Sequence, residues 1–347
     1  INSGQGETSI KLSRTLALSD TTNIKAEQGA LLSVEGDDNS VYQLMDQGNG
    51  VYQHSQLLLN EAGEFRLHIK TANGKEYYSD FAQPIKTPPI DSVSWTRETT
   101  GVQININTHD PFNKTHYYTW NYDESWEVDA QYIRYVKFLR DSLNMIVGTD
   151  FINPDQSADT MGQRCWRFSN SSKILTGSSA KLSEDVIHLP LLLIDNNSIK
   201  LSQIYSVKVY QHACSAGGYE FLQRLKKNTE ETGSVFDSQP SELNTNIHNI
   251  ADTKEIVFGY IDVTDLQESR IFIYRSEVPD WGYRPDCNYL IVPTRTDPVI
   301  LRDYSIYYPV IYTVTPDGTP AVSVVTPNCA DCRLTGASDI KPSFWPR

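Results

Sequence analysis

Short runs of alternating apolar and polar residues dominate the first 85 positions of the chain. Residues 9–13 and 64–70 alternate with a period of two, and residues 30–34 form a short apolar run. Such runs predict β-strands, because side chains along a strand point alternately to the two faces of a sheet. The turns between them, such as residues 47–50, carry glycine and asparagine, which tolerate positive φ. Residues 1–85 are therefore predicted to form a small β-sandwich.

A proline-rich stretch separates these strands from the rest of the chain. Three prolines fall within residues 84–89, and they disfavour both helix and strand pairing. Residues 86–90 are therefore predicted to be a stiff, extended linker. Beyond it, runs such as 101–107 and 204–210 are rich in aromatic and β-branched residues. We expect residues 91–347 to form a larger β-rich domain.

One segment of this second domain has the pattern of a helix. Ser215 is suited to cap its N terminus, Glu220 and Arg224 are spaced for an i,i+4 ion pair, and apolar residues share one face. The sequence therefore predicts a mainly β protein of two domains, with one inserted helix at about 216–232 that packs on a sheet.

Composition and charge narrow the classes of function. The chain has 347 residues and a net charge of −13, from 30 Lys and Arg against 43 Asp and Glu. A surface this acidic repels phosphate backbones, so we expect no nucleic-acid partner. No apolar run in the sequence approaches the ~18–20 residues that a membrane-spanning helix needs.

Five cysteines predict an oxidising compartment and one or two disulfides. The candidates are Cys165, Cys214, Cys287, Cys329 and Cys332. Cys329 and Cys332 have C-x-x-C spacing, but a zinc site needs four ligands and no histidine lies in the last 99 residues. We therefore expect structural disulfides and no metal. The pairing stays open at this stage, and a bridge from Cys287 to Cys329 or Cys332 would close a loop of about 40 residues.

Motifs for catalysis are missing from the sequence. The chain lacks the nucleophile elbow, the zincin helix, the Walker loop and the dinucleotide fingerprint. The carboxylates of residues 123–129 suggest glycoside hydrolysis only if two of them face each other across a cleft, which local sequence does not show. His212 and Cys214 share a strand face without being aimed at each other. We predict no catalytic residue and no cofactor, and a hydrolase is the least favoured alternative.

Aromatic residues provide one candidate binding surface. The candidates are Tyr118, Trp120 and Tyr122 on one strand face, Trp126 beyond them, and Trp281 and Tyr283 in a loop that contains glycine and proline. A row of flat rings can bind a sugar or a peptide. The alternative for the strand is a face packed against the helix or a second sheet. Rings on the loop are harder to bury, which favours contact with a partner.

Three blocks of sequence resemble a known family. They are residues 218–241, which begin Gly-Tyr-Glu-Phe-Leu, residues 246–260, which begin Asn-Ile-His-Asn, and the cysteine-containing residues 329–345. Together they resemble a family of Bacteroidota lipoproteins known as a domain of unknown function (numbered forty-two forty-nine). N-terminal stretches such as 10–14 and 88–92 agree, so the resemblance covers essentially the whole chain.

The resemblance implies a setting and no reaction. It implies an Ig-like or carboxypeptidase-regulatory-like first domain, a lipid anchor at the N terminus, and a place on the extracellular face of the outer membrane. Genes of such proteins often neighbour SusC-like TonB-dependent transporters. The family carries no established catalytic residues, so none is transferred. The sequence departs from the family pattern at Thr245, where glycine is expected, and the leader and anchor cysteine are not in the sequence.

The favoured hypothesis is a non-enzymatic surface lipoprotein that acts as an accessory or substrate-capture partner of a TonB-dependent transporter. One alternative is a structural or assembly subunit of a larger outer-membrane complex. A second alternative is a surface adhesin that binds a glycan or a peptide.

Overall fold

The computed structural model of the protein is built mainly of β-strands. It describes residues 1–14, 25–230, 243–279, 281, 283, 286–294 and 303–346. Within these residues there are 22 strands and one α-helix, which confirms the predicted fold class. A helix long and apolar enough to cross a bilayer is not found in this part of the chain.

The N-terminal unit is an antiparallel sheet that encloses its own core. Its strands are β1 (Thr8–Lys11), β2 (Ser13–Arg14), β3 (Lys25–Ala26), β4 (Leu31–Gly36), β5 (Val41–Gly48), β6 (Val51–His54), β7 (Phe65–Lys70) and β8 (Glu76–Ser79). Six of them form the sheet in the order β1-β6-β5-β4-β7-β8, and β2 and β3 pair only with each other. β5 pairs with β4 through its first half and with β6 through its second half, so the sheet turns a corner. Leu32, Val34, Tyr52 and Leu67 fill the enclosed space.

The remaining described residues contain fourteen strands and the helix. They are β9 (Ile90–Arg97), β10 (Gly101–His109), β11 (Tyr117–Asp129), β12 (Val136–Arg140), β13 (Ile146–Phe151), β14 (Arg164–Asn170), β15 (Leu175–Ser178), β16 (Val186–Asp195), β17 (Ile204–Ala213), α1 (Ala216–Glu230), β18 (Ile247–Asn249), β19 (Leu266–Tyr274), β20 (Tyr289–Pro293), β21 (Tyr308–Val314) and β22 (Pro320–Val325). Short 3-10 turns lie at Ile199–Leu201, Arg275–Glu277, Pro327–Cys329 and Cys332–Thr335.

Two of the sheets in this second part pack as a β-sandwich. One has the strand order β16-β10-β9, and the other has the order β14-β11-β17-β19, with β15 also paired to β11. Strands of both sheets bury one shared cluster that includes Ile104, Ile106, Tyr118, Trp120 and Val207. Burying side chains of this size contributes about 1.5–3 kcal/mol each, so this cluster is the main source of stability.

The helix forms where the sequence predicts it. The Ser215 hydroxyl accepts a hydrogen bond from the N–H of Gly218 at 3.0 Å, which caps the first turn. Glu220 and Arg224 form the expected ion pair at 2.5 Å. Phe221 is buried, and the helix lies against β11 and β15. The predicted end of the helix at 232 falls outside the described residues.

A third sheet, which we call the C-terminal sheet, has the strand order β20-β22-β21. The β12–β13 hairpin lies against β21. Val136 and Ile146 of the hairpin meet Val292, Val322 and Val324 of the sheet in a small separate core. One face of the C-terminal sheet is covered in this way.

A segment after the helix returns to the N-terminal unit. β18 pairs with β8 and adds a seventh strand to that sheet, and Val263 is buried in its core. The predicted division of the chain at residue 85 is corrected by this finding, because residues 1–85 do not complete their own sheet. Alternation of apolar and polar residues predicts a strand, but it does not predict which other strand pairs with it.

The predicted linker, residues 86–90, is buried in part. The Thr87 hydroxyl donates a hydrogen bond to the carbonyl of Asp265 at 2.6 Å and accepts one from the N–H of Ala213 at 3.0 Å. The Gln211 amide donates to the carbonyl of Pro88 at 2.8 Å. The linker is therefore extended, as predicted, but it is packed between the N-terminal unit and the sandwich.

Candidate functional site

The carboxylates of β11 are bonded to neighbouring side chains. Glu124 accepts hydrogen bonds from the Lys200 ammonium at 2.6 Å and from the Tyr205 hydroxyl at 2.7 Å. Burial, together with the charge of Glu124, raises the pKa of the Tyr205 hydroxyl, which keeps its proton for this bond. Asp123 accepts from the Tyr210 hydroxyl at 2.7 Å.

The other two carboxylates of this strand are also paired. Glu127 accepts a hydrogen bond from the Trp345 indole at 2.9 Å and lies 3.0 Å from the Arg164 guanidinium. Asp129 forms a second ion pair with Arg164 at 2.8 Å. A general acid or base needs a carboxyl group within reach of a substrate proton. These four carboxylates instead hold the strands and the C-terminal tail together.

His212 and Cys214 do not form a nucleophilic pair. Burial lowers the pKa of His212 to about 4. Burial also raises the pKa of the Cys214 thiol to about 12. At neutral pH the imidazole and the thiol are both uncharged, whereas a nucleophilic cysteine needs its thiolate.

Four of the five cysteines form two disulfides. Cys165 bonds to Cys332, and Cys287 bonds to Cys329. The second bridge is one of the two pairings that the sequence left open for Cys287. The prediction of Cys214 as a disulfide cysteine is wrong, because Cys214 is a free, buried thiol.

The predicted aromatic surface on β11 is wrong for most of its members. The rings of Tyr118 and Trp120 are stacked with centroids 5.8 Å apart, and their side chains are 0% and 2% exposed. Trp126 is buried and Tyr122 half-buried in the same cluster between the sheets. The alternative weighed for this strand is therefore the one observed. The alternation places these rings on one face but does not tell whether that face meets water.

Trp281 and Tyr283, the two candidate aromatic residues of the loop, differ in their surroundings. Trp281 packs against the sandwich core, and the Arg97 guanidinium lies over its ring at 4.4 Å from the centroid. This cation–π contact fixes the ring from the solvent side. Tyr283 is exposed. Tyr283 is therefore the only one of the six predicted aromatic residues with a solvent-facing ring.

The C-terminal sheet presents apolar side chains to solvent. Ile291 of β20 and Ile311 of β21 lie in register on either side of Ser323 of β22, which is buried, and we call these two isoleucines the exposed row. Ile291 and Ile311 are 39% and 49% exposed. Tyr289, two residues before Ile291 and on the same face of β20, is also exposed. Grouped apolar side chains on a soluble surface mark an interaction site more often than isolated ones do.

The C-terminal sheet is supported by packing on its other face and by a disulfide. Its opposite face is covered by the β12–β13 hairpin, and the Cys287–Cys329 bridge lies beside β20. The Tyr132 hydroxyl donates a hydrogen bond to the carbonyl of Cys287 at 3.2 Å. The exposed row is not among the surfaces predicted from the sequence. The signal for it is the stretch 289–293, which is apolar at every position and so offers no wet face.

Metal chemistry has no visible site in the part of the chain that is described. Across those residues, no group of three or more His, Cys, Asp or Glu side chains is arranged to hold a metal ion.

The protein is thus β-rich, with paired carboxylates, two disulfides and apolar side chains exposed on one sheet. The chain belongs to the family described as "Domain of unknown function (DUF4249)", whose model matches residues 1–270. This confirms the family suggested by the sequence blocks up to residue 260. The C-terminal sheet and the cysteine-containing tail follow the matched residues.

Comparisons with individual proteins add little. None of the curated proteins matches this chain. Among solved structures, the crystal structure of a Salmonella alpha-2-macroglobulin mutant is similar at 7% sequence identity with a TM-score of 0.17. The match covers 93% of this chain and 16% of that protein, and a TM-score this low carries no argument about fold or function.

Proposed function

We propose that this protein is a non-enzymatic binding subunit, an accessory partner of a SusC-like TonB-dependent transporter on the extracellular face of the outer membrane. The observation that carries the binding role is the exposed row of the C-terminal sheet. The transporter, the lipid anchor and the membrane face rest on the family resemblance of the sequence.

The energetics of the exposed row suit a docking surface. Burying a partly exposed isoleucine against a partner gains about 25 cal/mol for each Å² of apolar area. A few such side chains on a rigid support commonly supply most of the binding free energy of an interface. The row lies on a sheet whose other face is packed and disulfide-linked, so little conformational entropy is lost on docking.

Co-isolation from native membranes tests this proposal. Natural protein purified in mild detergent is expected to carry a β-barrel transporter. Ile311→Asp should reduce the amount of co-isolated transporter by about tenfold, because a buried unpaired carboxylate is costly at an interface. Leu182→Asp, at an exposed leucine outside the C-terminal sheet, is the matched control and should change nothing. Absence of any β-barrel from the natural preparation would refute the transporter role.

A structural or assembly subunit of a larger outer-membrane complex is the second candidate. Burial of Tyr118 and Trp120 favours it, because the described residues then lack the aromatic platform expected for capture of a small ligand. Calorimetric titration of the co-isolated complex with candidate nutrients separates the two roles. Binding of a nutrient favours the transporter accessory, and a stable complex without such binding favours the structural subunit. The adhesin alternative depends on Tyr283 alone among the predicted aromatic residues. If Tyr283→Ala binds glycans or peptides as well as the natural protein does, this alternative is refuted.

A further inference from the structure

β20 is an edge strand of the C-terminal sheet as far as the described residues show. Among the described strands it pairs with β22 alone. The N–H of Thr294 donates to the carbonyl of Pro320 at 2.9 Å, which makes these two residues a hydrogen-bonded pair of the ladder. Such pairs alternate with non-hydrogen-bonded pairs in antiparallel sheets. Counting back from Thr294, the peptide groups of Tyr289 and Ile291 therefore point away from β22.

These outward peptide groups are not paired with any other described part of the chain. Within the described chain, the N–H and C=O groups of Tyr289 and Ile291 have no hydrogen-bond partner. Both residues are also exposed. Native sheets usually shield an edge with lysine, proline or a covering segment. At Tyr289 and Ile291 the edge instead carries apolar side chains beside unpaired peptide groups.

We propose that β20 accepts an extended strand of a partner polypeptide, which adds to the C-terminal sheet at Tyr289 and Ile291. An extended polypeptide is the ligand that offers both donors and acceptors at the spacing of a sheet edge. The inference rests on the proposed function, because it names the way in which the partner docks on the C-terminal sheet.

β20 is short, and both of its ends restrict the register in which a strand can be added. Pro293 has no N–H to offer, so strand addition is limited at this end of β20. At the other end, the Cys287–Cys329 bridge anchors the chain two residues before the strand begins. A fixed edge costs little entropy to engage, and its two ends restrict where the added strand sits.

Charge indicates the composition of the added strand. The chain carries a net charge of −13, and the exposed Asp286 lies just before β20. Two copies of this chain would therefore repel each other at long range. A neutral or basic partner segment with β-branched residues fits the edge better, because its charge complements that of the chain and its side chains favour the extended conformation.

A synthetic peptide provides the direct test. The probe is a decapeptide of alternating valine and threonine with lysine at both ends, blocked at its termini, and it is titrated into the natural protein by NMR. The expected result is saturable binding with slowed amide exchange at Tyr289 and Ile291. An analogue with backbone esters in place of the central amides keeps the side chains and loses the donors, and it should bind about tenfold more weakly. Equal binding of the two peptides, or no binding of either, would overturn strand addition.

Two variants of the protein extend the test. Ile291→Pro removes an outward N–H while leaving the hydrogen bonds to β22 in place, and it should weaken peptide binding about tenfold. Ile291→Thr keeps the N–H and should bind within about threefold of the natural protein. Should Ile291→Pro fail to fold, the ester analogue with natural protein still decides the question.

The remaining outcomes separate this inference from the proposed function. If the natural protein dimerises and Ile291→Pro stays monomeric, the occupant is a second copy and the assignment to a partner polypeptide is overturned. Peptide binding without a co-isolated β-barrel keeps the strand-addition edge and refutes the transporter role. A co-isolated β-barrel without peptide binding keeps the transporter role and refutes the edge.

Discussion

Glu124 is a buried acidic residue inside the sandwich whose charge is compensated by neighbouring side chains. Its carboxylate is bound by an ammonium and a phenol, and the same Lys200 ammonium lies 5.1 Å from the centroid of the Trp126 ring. Such a buried pair adds little net stability over an apolar replacement, but removal of one partner leaves the other charge without compensation.

Glu124→Gln should therefore destabilise the protein. We expect the free energy of unfolding to fall by about 1–3 kcal/mol, because Lys200 loses its counterion while the shape of the side chain is kept. Urea denaturation measures this change. Glu184→Gln, at an exposed glutamate, is the control and should stay within about 0.5 kcal/mol of the natural protein. Equal stability of the two variants would contradict the structural role of Glu124.

Cys214 should be inert in the folded protein. Its pKa of about 12 leaves only about one thiol in 10⁴ ionised at pH 8, and the side chain is buried. Ellman's reagent is expected to give no measurable reaction with native protein. After unfolding in guanidinium it should give one thiol per chain. Rapid modification of the native protein would show that the thiol is accessible.

Single residues also show which features can be predicted from the sequence and which cannot. Ser215 and Glu220 predict the helix start correctly, because capping and i,i+4 pairing are local. Tyr118 and Trp120 are placed correctly on one strand face, but their burial depends on a second sheet that closes over them. That sheet contains β9 and β10, which directly precede β11, and the distant strand β16, and no local pattern predicts that it packs over β11.

The elements near the C terminus have a small hydrophobic core and are linked to the rest of the chain by disulfides. The C-terminal sheet has a small core of its own, and the Cys287–Cys329 bridge spans 42 residues beside it. The Cys165–Cys332 bridge spans 167 residues and fixes the tail to β14. Trp345 then reaches Glu127 on β11, so the tail is held at two points.

Reduction of the disulfides should lower stability in two unequal steps. In the chain-entropy model, loss of the Cys287–Cys329 bridge costs about 4 kcal/mol and loss of the Cys165–Cys332 bridge about 5 kcal/mol. Thermal unfolding of Cys287→Ser with Cys329→Ser, and of Cys165→Ser with Cys332→Ser, measures each bridge alone. A melting temperature that is unchanged in either double variant would contradict the role of that bridge.

Elements differ in how well their partners can be foreseen. The strand from 64 to 70 is predicted by its alternation, and β7 (Phe65–Lys70) forms there. Its neighbour β8 is completed by β18, which lies about 170 residues further along the chain. The cysteines suggest bridges, but their pairing depends on which strands meet. The candidate docking surface is missed for a related reason, since an all-apolar run is equally compatible with full burial.

At the scale of the whole molecule, Thr87 joins the N-terminal unit to the sandwich. Its backbone and side chain bond to Asp265, and its hydroxyl also accepts from Ala213 of β17. The presumed linker is thus a point of contact among three stretches of chain. The proline content of 84–89 predicts its extension correctly, whereas its burial depends on the return of the chain after the helix.

Thr87→Val should loosen this junction. The substitution keeps the shape of the side chain, leaves the Ala213 N–H without its acceptor and removes one of the two hydrogen bonds to the Asp265 carbonyl. We expect a loss of about 1–3 kcal/mol in the free energy of unfolding. Thr100→Val, at an exposed threonine, is the control and should have almost no effect. A variant at position 87 as stable as this control would show that the junction contributes little.

The central claim is that the protein acts by docking through the C-terminal sheet onto another protein. Photo-cross-linking in intact cells tests it most directly, with benzoylphenylalanine introduced in place of Ile311 and, separately, in place of Leu182. The account predicts adducts with a β-barrel transporter from position 311 and none from position 182, identified by mass spectrometry. Absence of any protein adduct from position 311, or equal adducts from both positions, would contradict it.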